Sequence, residues 1–237
     1  MRAVNATISL LILILLIPGI LGDALGDETK RPGELAGCDT KLIDRLLSVM
    51  ESEVIPLTWE GVRKGNKVFG AALLRKSDLS TVIAGTNTET ENPLWHAEVY
   101  TIKKYYDMVN TDDSKRVDSK DVIFFATHEP CTLCSSAITW GGYDNFYYFF
   151  SHEDSRDAFK IGHDLKILKE VFKHEPGGYA RQNSYWSAYS IMDLINNCEP
   201  VTKNGFLERA AIIKQTYVRM SDIYQVNKRE AKNIPLK

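Results

Sequence analysis

Two short stretches constrain this chain more than any other feature. Residues 92–99 read Asn-Pro-Leu-Trp-His-Ala-Glu-Val, and residues 128–134 read His-Glu-Pro-Cys-Thr-Leu-Cys. His96, Cys131 and Cys134 offer one nitrogen and two sulfurs of the kind that bind Zn²⁺. Three such ligands leave the fourth tetrahedral position open to water, as in a reactive rather than a structural site. Glu98 is not counted among the ligands: two residues from His96, its carboxylate can reach the bound water and move its protons. A structural zinc would be closed by a fourth Cys or His, and neither motif carries one nearby.

The chain has 237 residues, 44% of them hydrophobic, and a net charge of −2. That length supports one sizeable core plus an extension rather than two full domains. The balanced charge lacks the basic footprint of a general nucleic-acid binder, so small substrates fit better. The local exception is residues 203–237, with eight Lys or Arg against three Asp or Glu. Such a segment is a solvated helix face or, alternatively, a contact for a nucleic acid.

Arg2 precedes an apolar run from Ile8 to Leu21, shorter than the roughly 20 residues that span a bilayer and followed by small residues. Residues 1–22 therefore read as a signal peptide, with cleavage near Gly22 or Gly26, and the protein as secreted or resident in the secretory lumen, with no stable membrane span after cleavage. An uncleaved membrane anchor is the alternative. In an oxidising compartment the two cysteines not assigned to metal, Cys38 and Cys198, are expected to form a disulfide. Two free buried thiols are the other reading.

Residues 23–39 carry Gly, Pro and charges without apolar periodicity and read as a flexible lead-in. Leu42, Leu46, Met50 and Val54 then repeat every four residues, predicting an amphipathic helix that Pro56 ends. The runs 67–74 and 79–84 predict a β-hairpin. Pro93 is expected to open a helix that presents His96 and continues to about Met108, and Pro130 another that carries Cys131 and Cys134 on one face and stops at Gly141-Gly142. Val122–Ala126 and Phe146–Phe150 are buried strands. Helices are expected at 154–161 and 164–172, then a break at Glu175-Pro-Gly-Gly. Beyond it, Tyr185, Trp186, Tyr189 and Met192 are expected on one side of a helix, as core or as an aromatic lid over a substrate. Phe206, Ala210, Ile213, Tyr217, Met220 and Tyr224 form the stripe of a final helix.

The stretches GNKVFGAALL, AGTN, NPLWHAEVYTI, HEPCTLCSSAITW and FYYFFSHEDSRDAF occur in the order and rough spacing of the zinc-dependent cytidine deaminase superfamily. The H-x-E and P-C-x-x-C pair is the signature of zinc base deaminases. Within the superfamily, the chain most resembles the guanine deaminase and tRNA adenosine deaminase branch, over about residues 40–172. The resemblance implies an α/β fold, a three-layer α/β/α sandwich with a mixed five-stranded sheet. It implies a deaminase domain over 40–174, one Zn²⁺ per chain and a homodimer. Residues 175–237 are left as a helical extension packed on the core. Four strands are clear from the residues, and the fifth rests on the resemblance.

By the same resemblance Asn87 would hydrogen-bond the base, unless it is only a turn former. Asp154 would help hold a purine, unless it caps the helix that begins there. The activity implied is hydrolytic deamination of a free nucleobase or nucleoside with release of ammonia, guanine-like purines first and cytosine-type pyrimidines next. Deamination of a base within a nucleic acid and a catalytically silent zinc module are the alternatives. Intact Glu98 argues against the second of these.

Overall fold

The structure is a computed structural model, which describes residues 37–174 and 178–237. The expected signal peptide, residues 1–22, and the lead-in as far as residue 36 lie outside the described residues. Among the described residues, eight α-helices and five strands run in the order α1 (Thr40–Val49), α2 (Ile55–Arg63), β1 (Gly70–Arg75), β2 (Thr81–Thr86), α3 (Ala97–Thr111), β3 (Val122–His128), α4 (Thr132–Trp140), β4 (Asn145–Phe150), α5 (His152–Asp157), α6 (His163–Glu170), β5 (Ser187–Ser190), α7 (Ile191–Asn196) and α8 (Pro200–Asn227).

The sheet order is β2-β1-β3-β4-β5. β1 is antiparallel to both β2 and β3, whereas β3, β4 and β5 run parallel, so the sheet is mixed. Period-two alternation sends side chains to opposite faces. Ala72, Leu74, Ile123, Phe125 and Phe149 join a core with Ile43, Leu47 and Met50 of the N-terminal helical segment and with α8. Ala71, Leu73, Phe124, Phe146 and Tyr148 join a second core with Ala97 and Tyr105 of α3 and Ile138 of α4. Helices thus cover both faces, giving three layers, and β1 and β3 are buried almost throughout because each face meets a helix.

Pro56 does not end the first helix. A five-residue π-helical stretch, Met50–Val54, joins α1 to α2, so the chain stays helical up to and through Pro56, the second residue of α2. Pro93 does not open α3 either. Trp95 N–H donates to the Asn92 carbonyl (2.8 Å), so Asn92–Trp95 is a turn with proline at its second position, and α3 starts at Ala97 with His96 as its N-cap.

The segment holding Tyr185, Trp186, Tyr189 and Met192 is a strand followed by a short helix, not one helix. β5 adds to the parallel edge of the sheet with Phe146 opposite Ala188 and Tyr148 opposite Ser190. Its neighbours divide between the faces: Trp186 and Ala188 enter the core of α3 and α4, while Tyr189 and Met192 pack against the other core. Trp186 Nε1–H donates to Thr139 Oγ1 (2.8 Å), so this tryptophan is core and not a lid. The fifth strand therefore comes from the region read as a helical extension.

α8 carries the expected stripe, with Phe206, Ala210, Ile213, Tyr217, Met220 and Tyr224 all buried. Arg209 ties it to α1 and to the π-helical stretch after it, donating to Asp44 Oδ1 (2.6 Å) and Glu51 Oε2 (2.7 Å). Cys38 and Cys198 are joined in a disulfide that links the entry to α1 with the end of α7. Among the described residues no helix is long and apolar enough to cross a membrane.

Candidate active site

β3 and the Asn87–Trp95 loop deliver two helix starts to one place. Glu129 N–H, just past β3, donates to the Phe150 carbonyl (2.7 Å) and extends the ladder with β4 up to Pro130. Cys131 follows as the N-cap of α4, with Cys134 inside the first turn. On the other side Thr88 N–H donates to the Trp95 carbonyl (2.9 Å), closing the loop so that His96 caps α3. His96 Nδ1 then lies 3.4 Å from Cys131 Sγ and 3.6 Å from Cys134 Sγ, and the two sulfurs are 3.6 Å apart. Glu98, in the first turn of α3 and buried, accepts from Cys134 Sγ at 3.1 Å.

Charge is unevenly divided in this cluster. A hydrogen bond from Cys134, with the His96 imidazole behind it, pulls the Cys131 thiol well below its ordinary range despite burial. Burial and the adjacent Cys131 push Cys134 the other way. Burial opposes charge on His96, but the hydrogen bond and charge of Cys131, aided by Glu89 and Glu98, outweigh it and raise His96 to about 9. Burial, then the charge on Cys131, raises Glu98 to about 7. Without a metal ion, Glu98 is thus held near neutrality.

The cluster forms the polar end of a cavity of about 380 Å³, inside the range of roughly 300–1,000 Å³ common for small-molecule sites. Phe69, Leu94, Leu133, Ile161, Ile167, Pro235 and Leu236 give it apolar walls. Lys67, Glu89, Glu129 and Asp164 join Glu98 as its charged groups. Burial, then Cys131, raises Asp164 to about 6. Lys67 is already engaged, its Nζ 2.9 Å from Glu89 Oε1, so the remaining lining is rich in acceptors.

Residues 48–150 match the family described as the cytidine and deoxycytidylate deaminase zinc-binding region. The chain is 32% identical over 123 residues to guanine deaminase of Bacillus subtilis (strain 168), covering 50% of this chain and 72% of that protein. The chain belongs to the cytidine deaminase superfamily. Solved structures similar to this superfamily member include guanine deaminase from Bacillus subtilis (26% identity, TM-score 0.42, 58% of this chain and 80% of that one). Guanine deaminase from Nitrosomonas europaea is another (15% identity, TM-score 0.43, 81% of this chain and 100% of that one). The family identifies the chain as a hydrolytic deaminase of nucleobase type.

Within this deaminase fold His96, Cys131, Cys134 and Glu98 come together, while two other expected site residues stand elsewhere. Asn87 is fully buried and does not line the cavity; its Nδ2 donates to Glu89 Oε2 (2.6 Å) and its Oδ1 accepts from Glu89 N–H (3.2 Å). The amide that was to meet the base holds a carboxylate instead. Asp154 also lies outside the cavity lining. It and Ser151 form a reciprocal capping box at the start of α5, as the helix-cap reading expects. The carboxylate after β4 that faces the cavity is Asp164.

Asp164, Glu89 and Lys67 were not singled out from the sequence. Asp164 opens α6, where an acidic residue reads as a partner for the helix dipole, and Glu89 sits in a run of turn-forming polar residues. Lys67 carries a faint signal as the charge that begins an otherwise apolar β-rich run.

Proposed function

We propose that the protein is a zinc-dependent hydrolytic deaminase of a free nucleobase or nucleoside, guanine-like purines preferred and cytosine-type pyrimidines next. The observation that carries this reading is the triangle of His96 Nδ1, Cys131 Sγ and Cys134 Sγ. For Zn–S near 2.3 Å and Zn–N near 2.0 Å, a tetrahedral face has edges of about 3.8 Å between sulfurs and about 3.5 Å from sulfur to nitrogen. The edges of 3.6, 3.4 and 3.6 Å fit that face. With two thiols and an imidazole as donors, zinc suits the site better than a hard, oxygen-seeking cation.

A zinc ion held there would supply Lewis-acid chemistry and bring the pKa of a water close to neutrality. Glu98 accepts the proton of the attacking water at its carboxylate and hands it to a ring nitrogen of the substrate, then takes the remaining hydroxyl proton and delivers it to the departing amine, which leaves as ammonia. The N-termini of α3 and α4 both face this end of the cavity, and their free N–H groups favour thiolate at Cys131 and negative charge on the substrate. Phe69, Leu133 and Ile161 form apolar walls for a flat ring and exclude water from it. Asp164 takes the part expected of Asp154, accepting from the N–H groups of an amidine edge. That acceptor matches guanine, whose ring nitrogen and exocyclic amine both donate, better than cytosine, whose ring nitrogen accepts.

The disulfide between Cys38 and Cys198 supports a site of action in an oxidising compartment. The test is ammonia release from guanine, cytosine, adenine, their nucleosides and short oligonucleotides, with and without a chelator. Chelator-sensitive release from a free purine is expected. Release from oligonucleotides alone, or release indifferent to complete metal removal, would overturn the reading.

A further inference from the structure

His96 can serve as a metal ligand through only one ring nitrogen at a time, and something must choose it. Its Nδ1 faces the two sulfurs, while its Nε2 lies 3.6 Å from Glu89 Oε1. That distance is longer than a direct hydrogen bond but within ion-pair reach, so a negative charge stands behind the nitrogen that must carry the proton if Nδ1 is to offer its lone pair.

Glu89 is itself fixed from three directions. Lys67 Nζ is 2.9 Å from Oε1, Asn87 Nδ2 donates to Oε2 at 2.6 Å, and the Glu89 N–H is held by Asn87 Oδ1. The Lys67 and Glu89 side chains are only 5% and 3% exposed. An ion pair so buried adds little net stability, because desolvation offsets most of its attraction, and a role at the neighbouring site accounts for it better.

We propose that Glu89 is a positioning residue for the metal site: anchored by Lys67 and Asn87, it orients the His96 ring and selects the form whose Nδ1 binds zinc. This rests on the zinc reading above. It also gives the Asn87 amide a part, since that amide holds Glu89 in place.

The test uses the oxidised full-length protein in two variants. Lys67→Met with Glu89→Gln removes both charges together and leaves no unpaired ion in the interior. Glu89→Asp keeps the charge but shortens its reach. Zinc content at saturation, the rate of zinc release to a chromophoric chelator, and the visible spectrum of the Co²⁺-substituted protein are measured well below each unfolding midpoint. Arg209→Met, which breaks the remote pairs to Asp44 and Glu51, is the control for general destabilisation.

Both site variants are expected to bind zinc but to release it at least about tenfold faster than wild type, the usual effect of removing a group that orients a metal-bound histidine. Their cobalt spectra should shift, and Arg209→Met should match wild type in both readouts. Wild-type release rates and spectra in both site variants would overturn the proposal, as would an altered KM with unchanged zinc release, which would make Glu89 a substrate contact. A wild-type protein that takes up no zinc would instead overturn the underlying reading of the site, and the proposal with it.

Discussion

Cys134 Sγ lies 3.1 Å from Glu98 Oε2, so a candidate metal ligand and the candidate proton carrier are in direct contact. Glutamine at position 98 keeps the size of the side chain and an oxygen to accept from Cys134, but it cannot accept and return a proton. Glu98→Gln is therefore expected to bind metal as wild type does and to turn over about 10²–10⁴-fold more slowly. Metal content and ammonia release on the same preparation decide the matter. Undiminished turnover would remove Glu98 from proton transfer.

Asp164 gives a pH-dependent signature in the metal-free protein. Its carboxyl is raised from 3.8 to about 6 by burial and by Cys131. The folded state thus holds a proton that the unfolded chain releases above pH 4, so this group's stabilisation is full below about pH 4 and lost as pH rises through about 6. Asp164→Asn carries no such charge and is expected to be more stable than wild type at pH 7, by roughly 2–3 kcal/mol for a two-unit shift. The advantage should vanish by pH 4. Urea midpoints across that range would show it, and the same variant should lose deamination of the preferred purine.

The metal cluster was legible in the sequence because each half is short-range: the H-x-E and C-x-x-C spacings act within one helical turn, and only their meeting requires the fold. β3 and β4 were legible as dense apolar runs, and the α8 stripe as an uninterrupted period. β5 was not, because Trp186, Tyr189 and Met192 match a helical spacing as well as they match two faces of a strand, and only pairing with β4 decides. Glu89 and Asp164 were invisible for a different reason. Each is an ordinary polar residue in its local setting, and its meaning arises from side chains that only the fold brings to it, Lys67 and His96 for Glu89 and Cys131 for Asp164.

The disulfide between Cys38 and Cys198 closes a sequence separation of 160 residues. In the chain-entropy account a loop of that length stabilises the fold by about 5 kcal/mol. The double variant Cys38→Ser, Cys198→Ser should lose stability of that order in urea denaturation under non-reducing conditions. It should keep its metal, since neither cysteine lines the cavity. Equal stability of variant and wild type would show that the crosslink constrains the unfolded chain less than its length implies.

The last residues of the chain form part of the cavity wall. Asn233 Nδ2 donates to the Thr90 carbonyl (2.7 Å), Ile234 is buried, and the Lys237 carbonyl lies 3.3 Å from His163 Nε2. These contacts hold Pro235 and Leu236 in the cavity wall. Removing residues 233–237 strips apolar surface that would contact substrate and transition state alike. The expected result is a KM raised roughly tenfold, the equivalent of about 1–2 kcal/mol of lost apolar contact, with kcat changed much less. Steady-state kinetics on the truncated and intact proteins distinguish a wall from a plug. A KM that falls on truncation, with release from oligonucleotides appearing at the same time, would mean that the tail blocks larger substrates rather than holding small ones.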